Sequence, residues 1–169
     1  EGAFTCTFRE DDENFYGCSC VDFRVSPVEQ TFPKTRWECL LRPGDPCLGM
    51  HIPAKTDISQ EAMNRSIAAA QKLVAERFPE FDGRQVFCSS WLLDPQLGQL
   101  LGESSKITAF QNRYTRYPQK SAGMSVFGFV FPKRYESFET LPEDSSLRRK
   151  LKQLYMDGGH IYGCAGVIF

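Results

Sequence analysis

The sequence has no long hydrophobic run, no excess of charge of one sign and almost no histidine. Its longest uncharged apolar stretches, such as Val86–Leu93 and Met124–Pro132, fall well short of the roughly 20 residues a helix needs to cross a bilayer. No membrane partner is expected. Lys and Arg total 20 against 21 Asp and Glu, leaving a formal charge of −1. Nucleic-acid binders carry a basic excess or stripe, so nucleic acid is not expected either. The only histidines, His51 and His160, lie far from the single close cysteine pair, Cys18-Ser19-Cys20, whose spacing is not that of a zinc knuckle. No metal is expected. The first residues, Glu1-Gly2-Ala3-Phe4, are neither basic nor followed by an apolar stretch, unlike a secretory signal. Internal repeats and low-complexity segments are also lacking.

What is present suits one globular domain over residues 1–169, long enough to bury a sizeable core. The apolar fraction is 41%, with 14 Phe, too high for a disordered chain. Seven cysteines, an odd number with several in apolar surroundings, read as reduced thiols and point to the cytoplasm.

Strands are expected at Phe4–Phe8 and Tyr16–Val25. A hairpin is expected from Trp37–Arg42 and Cys47–Ile52 about the turn Pro43-Gly44-Asp45-Pro46. Ile58-Ser59-Gln60-Glu61 caps a helix whose Met63, Ile67, Ala70 and Val74 form one stripe, ending at Phe78-Pro79. Gln85–Leu93 reads as a central strand, and Asp94-Pro95 starts a short helix that Gly102 stops. Ile107–Tyr114 and Met124–Phe131 are expected as paired strands, with Phe127, Phe129 and Phe131 alternating. A helix from Ser145 to Met156 ends at Asp157-Gly158-Gly159, and His160–Phe169 closes the chain as a strand. This order predicts an α+β fold, a largely antiparallel sheet with helices packed on its faces.

Four blocks resemble one family. They are Arg42–Pro46 followed by His51-Ile52-Pro53, Cys88–Leu97, Ser104–Phe110, and Leu141–Leu147 with Gly158-Gly159-His160. Their order and spacing resemble the GNAT-like C-terminal domain of two-domain bacterial acyltransferases, the likeness being strongest over residues 16–169. The resemblance implies a GNAT-like (acyl-CoA N-acyltransferase) fold, with a mostly antiparallel central sheet and helices on both faces. It also implies a helical N-terminal domain as partner, a domain not found in residues 1–169. Acyl-coenzyme A, with acetyl-CoA as the simplest donor, would lie between Cys47–Ile52 and Val86–Trp91, its diphosphate at the N-terminus of the Ser59 helix. An unpaired helix terminus attracts an anion.

On this reading His51 is the candidate catalytic base and a small amine the acceptor. Ile52, Pro53, Lys55, Thr56, Ile58 and Ser59 would hold the cofactor, and Ser89, Trp91 and Asp94 would meet the acceptor. Each has a plainer role: His51 fixing the strand-to-helix turn, Trp91 in the core, Asp94 as a helix cap. His160 reads as a partner of a helix C-terminus, and Cys88 as an inert thiol in an apolar strand. The cluster Arg113, Arg116, Lys120 and Lys133, with Tyr114 and Tyr117, either takes an anionic tail or is a solvated hairpin. Two departures favour a non-catalytic, GNAT-shaped binding module instead. Loop 53–58 has no glycine, and Ser89 stands where the family more usually has histidine.

Overall fold

The computed structural model describes residues 8–19, 28–81, 85–119 and 121–169. The expected strand at Phe4–Phe8 and the second half of Tyr16–Val25 therefore lie outside the described residues, as do Cys6, Cys20 and Lys120.

Two antiparallel pairings build a small sheet from β1 (Arg9–Glu10), β2 (Asn14–Ser19) and β3 (Val28–Pro33). Asp11 shapes its first turn, accepting from the Glu13 and Asn14 amides and from the Tyr16 hydroxyl. The main sheet has the order β4 (Leu48–Met50), β5 (Val86–Ser90), β7 (Cys164–Ile168), β6 (Thr115–Pro118). Only β4 and β5 are parallel; the other pairings are antiparallel.

The expected hairpin is not formed. Trp37–Arg42 is irregular, because Pro33 ends β3 and its carbonyl accepts from the amides of Arg36 and Trp37. Asp45 still closes the turn, its carboxylate accepting from the Arg42 amide at 2.7 Å. The chain then enters β4 alongside β5 rather than folding back on itself.

Between these strands lies α1 (Gln60–Arg77), capped by Ser59, whose hydroxyl accepts from the Ala62 amide. Met63 is buried, and Ile58 and Ile67 pack with it against Met50, Cys88, Phe110 and Tyr114. β5 runs into a 3-10 turn, Trp91–Leu93, where the Ser90 hydroxyl accepts from Leu92 N–H. α2 (Pro95–Leu101) begins at Asp94 and stops at Gly102, as read from the sequence.

Two expected strands are helices. α3 (Lys106–Gln111) starts where the Ser105 hydroxyl accepts from Ile107 N–H. Its buried Phe110 is followed four residues on by buried Tyr114, a helical spacing. α4 (Ser125–Phe129) buries Val126 and, just past its end, Val130, while Phe129 is exposed. The alternation of Phe127, Phe129 and Phe131 is thus overridden by an i, i+4 pair. α5 (Ser146–Met156), capped by Ser145, buries Leu151 and Tyr155 beside Trp91, Leu97, Val126, Leu141 and Ile161. Gly158 takes a φ of +80°, the left-handed conformation that ends the helix. No helix among the described residues is long and apolar enough to cross a membrane.

Candidate functional site

Leu48 lies opposite Val86, Gly49 opposite Phe87 and Met50 opposite Cys88, and there the parallel pairing ends. β5 continues to Ser90, but Ser89 and Ser90 pair only with Ala165 and Cys164 of β7. Beyond Cys88, the edge of β5 that faces β4 has no strand partner among the described residues. The two strands part at their carboxyl ends, the position at which α/β sheets receive ligands.

Paired residues point to one face. Met50 and Cys88 face α1 and the core, whereas Gly49, Phe87 and Ser89 face the other way, and strand alternation puts His51 with them. His51 and Ser89 are both exposed. Among the described residues His51 has no hydrogen bond or ion pair, so its imidazole is open to a ligand. The Ser89 hydroxyl accepts from Nε2 of Gln119 at 2.7 Å. Tyr117 shares this face, opposite Ala165. Burial, and secondarily the Cys47 thiol from the far edge of the sheet, push its hydroxyl up in pKa.

Between β4 and α1 the chain turns at Lys55, whose φ of 64° is rare for a residue with a side chain. Thr56 N–H reaches the Pro53 carbonyl at 3.3 Å. The Asp57 carboxylate accepts from the Ser59 amide at 3.0 Å and the Ser59 hydroxyl at 2.9 Å. These two bonds, aided by nearby Lys106 and Arg65, hold its carboxyl below the ordinary aspartate range. Arg113, just after α3, donates to the Gln60 carbonyl at 3.2 Å. Arg65 and Lys106 thus lie near Asp57 at the start of α1 and Arg113 reaches the Gln60 carbonyl, while Arg65 is also paired with Glu61 of the first turn. The amides of Gln60 and Glu61 meet no acceptor among the described residues, as expected of a helix's first turn.

Trp91 and Asp94 turn inward. Trp91 belongs to the core cluster around Leu97 and Ile161. Asp94 is 1% exposed; one carboxylate oxygen accepts from Gln96 N–H at 2.8 Å and the other from Tyr162 N–H at 2.7 Å. Its carbonyl, with that of Leu92, accepts from the Gln111 side chain. Asp94 so ties the exit of β5 to the approach of β7. Ile52 and Ile58 also pack into the core rather than facing the opening.

His160 meets Tyr155 edge-on at 5.4 Å and Tyr162 at a tilt at 4.8 Å. Cys88 is buried, which pushes its thiol up to about 11. The basic cluster expected at 113–133 is dispersed. Arg116 bonds Gln111, and Lys133 lines a separate cavity. Lys106 and Gln119 were not legible as site residues; only the docking of α3 against α1 and the end of β6 bring them in. Among the described residues no three His, Cys, Asp or Glu side chains are placed to hold a metal ion.

The sequence matches the model of the GNAT-like C-terminal domain over residues 8–168. The chain belongs to the GNAT-like C-terminal domain family. Its fold is similar to that of an acyltransferase solved in complex with decanoyl-CoA, at 25% identity and a TM-score of 0.66. That match covers 95% of this chain and 45% of the acyltransferase. Two further acyltransferase structures share the fold at 22% identity and a TM-score of 0.58, covering 92% of this chain and 44% of theirs. One holds decanoyl-CoA and teicoplanin, the other CoA and 10C-teicoplanin. This GNAT-like domain spans less than half the length of these acyltransferases. Curated proteins give no match.

Proposed function

We propose that this GNAT-like domain binds acyl-coenzyme A and transfers the acyl group to an amine acceptor. The observation that carries the reading is the parting of β4 and β5 directly before a helix N-terminus that Lys106 and Arg113 approach. The diphosphate of the donor sits at the open amides of Gln60 and Glu61, near Lys55, Thr56, Ser59, Lys106 and Arg113. The pantetheine arm then runs between Pro53 and the unpaired edge of β5, where backbone N–H groups polarise the thioester carbonyl. The acceptor amine approaches on the exposed face bearing His51 and Ser89. Nitrogen attacks the carbonyl carbon, His51 takes the proton directly or through one water, and the coenzyme A thiolate leaves.

Trp91 and Asp94 act from behind as positioning residues. Asp94 sets the exit of β5, and hence the Ser89–Gln119 pair on its surface. The decanoyl-CoA and teicoplanin held by the acyltransferase neighbours support a donor with a medium-length acyl chain, rather than acetyl-CoA in particular, and a bulky acceptor. The neighbours' greater length is in keeping with a further domain as partner. Cys18, Cys39, Cys47, Cys88 and Cys164 are all free thiols, which supports a reducing, cytoplasmic setting.

One feature favours the alternative of a binding module without catalysis: the Asp57 carboxylate occupies part of the helix N-terminus that a diphosphate would use. The two readings separate in one experiment. Release of coenzyme A thiol is followed with decanoyl-CoA and a primary amine, for wild type and His51→Ala. The enzyme reading expects turnover that falls about a hundredfold in kcat, within the range of general base removal, with KM for the donor unchanged. Equal rates in the two proteins refute a catalytic His51. Donor binding with no turnover identifies the module.

A further inference from the structure

Two glycines of the main sheet differ in what holds them there. Gly166, on β7, is set by packing: an added Cβ would stand 2.9 Å from Tyr114 and 3.2 Å from Leu93. Gly49, in the middle of β4, has no such reason. A Cβ there meets nothing within 4 Å among the described residues, and the position is exposed. Its φ also lies outside the left-handed region that favours glycine. Glycine weakens a strand interior, since it orders less readily and has no side chain to pack. Neither conformation nor packing within the described residues accounts for Gly49. A bare strand position of this kind marks a place that a ligand approaches closely.

The rows of the sheet indicate which part of a ligand. On the face away from α1, Gly49 lies opposite Phe87, and Phe87 opposite Val167. This row is apolar up to Thr115 at the far edge, with Phe87 half-buried and Val167 buried. The next row toward the parting of the strands carries His51, Ser89 and Tyr117 on the same face. One row suits a hydrocarbon and the other a polar acceptor. The rows are two residues apart, about 7 Å. A thioester at the unpaired edge of β5 stands level with the polar row. At Gly49 and Phe87 the two strands are paired again, so an acyl tail pointing back along them has no room between them. It crosses over the face instead, where β4 presents backbone alone.

We infer that Gly49 is a specificity-determining residue, the bare floor over which the acyl tail of a medium-chain donor passes to reach Phe87. The inference rests on the acyl-coenzyme A reading above and adds the residue that admits the tail. A valine side chain stands upright from the sheet and takes the space of the tail, yet it suits a strand and meets nothing in the chain itself. The test compares calorimetric Kd values of decanoyl-CoA and free coenzyme A for the 169-residue chain and for Gly49→Val, together with their urea midpoints. Wild type is expected to bind decanoyl-CoA more tightly than coenzyme A. Gly49→Val should weaken decanoyl-CoA about tenfold, the loss of a few methylene contacts, leave coenzyme A unchanged, and hold or raise the urea midpoint. Gly128→Ala, an exposed glycine of α4 equally free of contacts, should change neither affinity. An unchanged Kd for decanoyl-CoA in Gly49→Val, an equal weakening of both ligands, or a lowered urea midpoint overturns the assignment while leaving coenzyme A binding by wild type in place. Wild type that binds neither ligand removes the acyl-coenzyme A reading, and this inference with it.

Discussion

At the scale of single residues, burial decides which titratable groups can act. Cys88 and Cys164 sit on the packed face of the sheet, and burial raises both thiols. Neither is a nucleophile at neutral pH. Site-resolved alkylation with iodoacetamide is expected to label Cys39 and Cys47 in the native protein, and Cys88 and Cys164 only after unfolding. The same shift has a consequence for stability. A thiol whose pKa is higher folded than unfolded leaves the native state holding more protons than the unfolded state once pH exceeds the ordinary thiol value. Stability then falls as pH rises from about 9 toward about 11. Urea midpoints should drop over that window, and Cys88→Ala should flatten the drop; equal slopes in the two proteins contradict the assignment. Asp94 is the reverse case, a buried carboxylate made tolerable by donors. Asp94→Ala removes a helix cap and strands the Tyr162 amide, and about 2–4 kcal/mol should be lost in urea unfolding.

Among the helices, packing rather than propensity sets the outcome. Leu151 on α5 is fully buried and Leu73 on α1 is 55% exposed, although both are leucines on helices of clear amphipathic pattern. Leu151→Ala should cost about 2–5 kcal/mol and Leu73→Ala less than about 0.5 kcal/mol. Comparable losses at both sites contradict the core described here. The well-read elements, α1, α2 and α5, announce themselves by a capping side chain, a long apolar stripe and a glycine or proline stop. α3 and α4 are short, and over five or six residues a helical stripe and a strand alternation look alike. Phe127, Phe129 and Phe131 spell a strand until Val126 and Val130 are seen to fill the core. The Trp37–Arg42 segment had strand-like composition too, but β4 finds its partner in β5, a contact of long sequence separation that no local signal carries.

For the molecule as a whole, the segments that flank the parting of β4 and β5 are legible in the sequence, whereas part of the charge near the start of α1 is not. His51, Ser59 and Ser89 lie on segments whose order is visible in the chain. Lys106 joins them only because α3 docks beside the start of α1, which also separates Arg113 from the basic cluster in which the sequence placed it, and Gln119 only because β6 ends level with Ser89. The central claim is that an anionic donor occupies the start of α1, in a balance between these cations and Asp57. Asp57→Asn keeps an oxygen to accept from Ser59 while removing the charge, so it should tighten donor binding several-fold, whereas Lys106→Gln should weaken it by a similar factor. The decisive measurement is the calorimetric Kd of decanoyl-CoA for wild type, Asp57→Asn and Lys106→Gln at low and moderate salt. The account predicts saturable binding, tighter in Asp57→Asn and weaker in Lys106→Gln, with both differences shrinking as salt rises. Binding that is the same in all three proteins, or no binding in any of them, contradicts it.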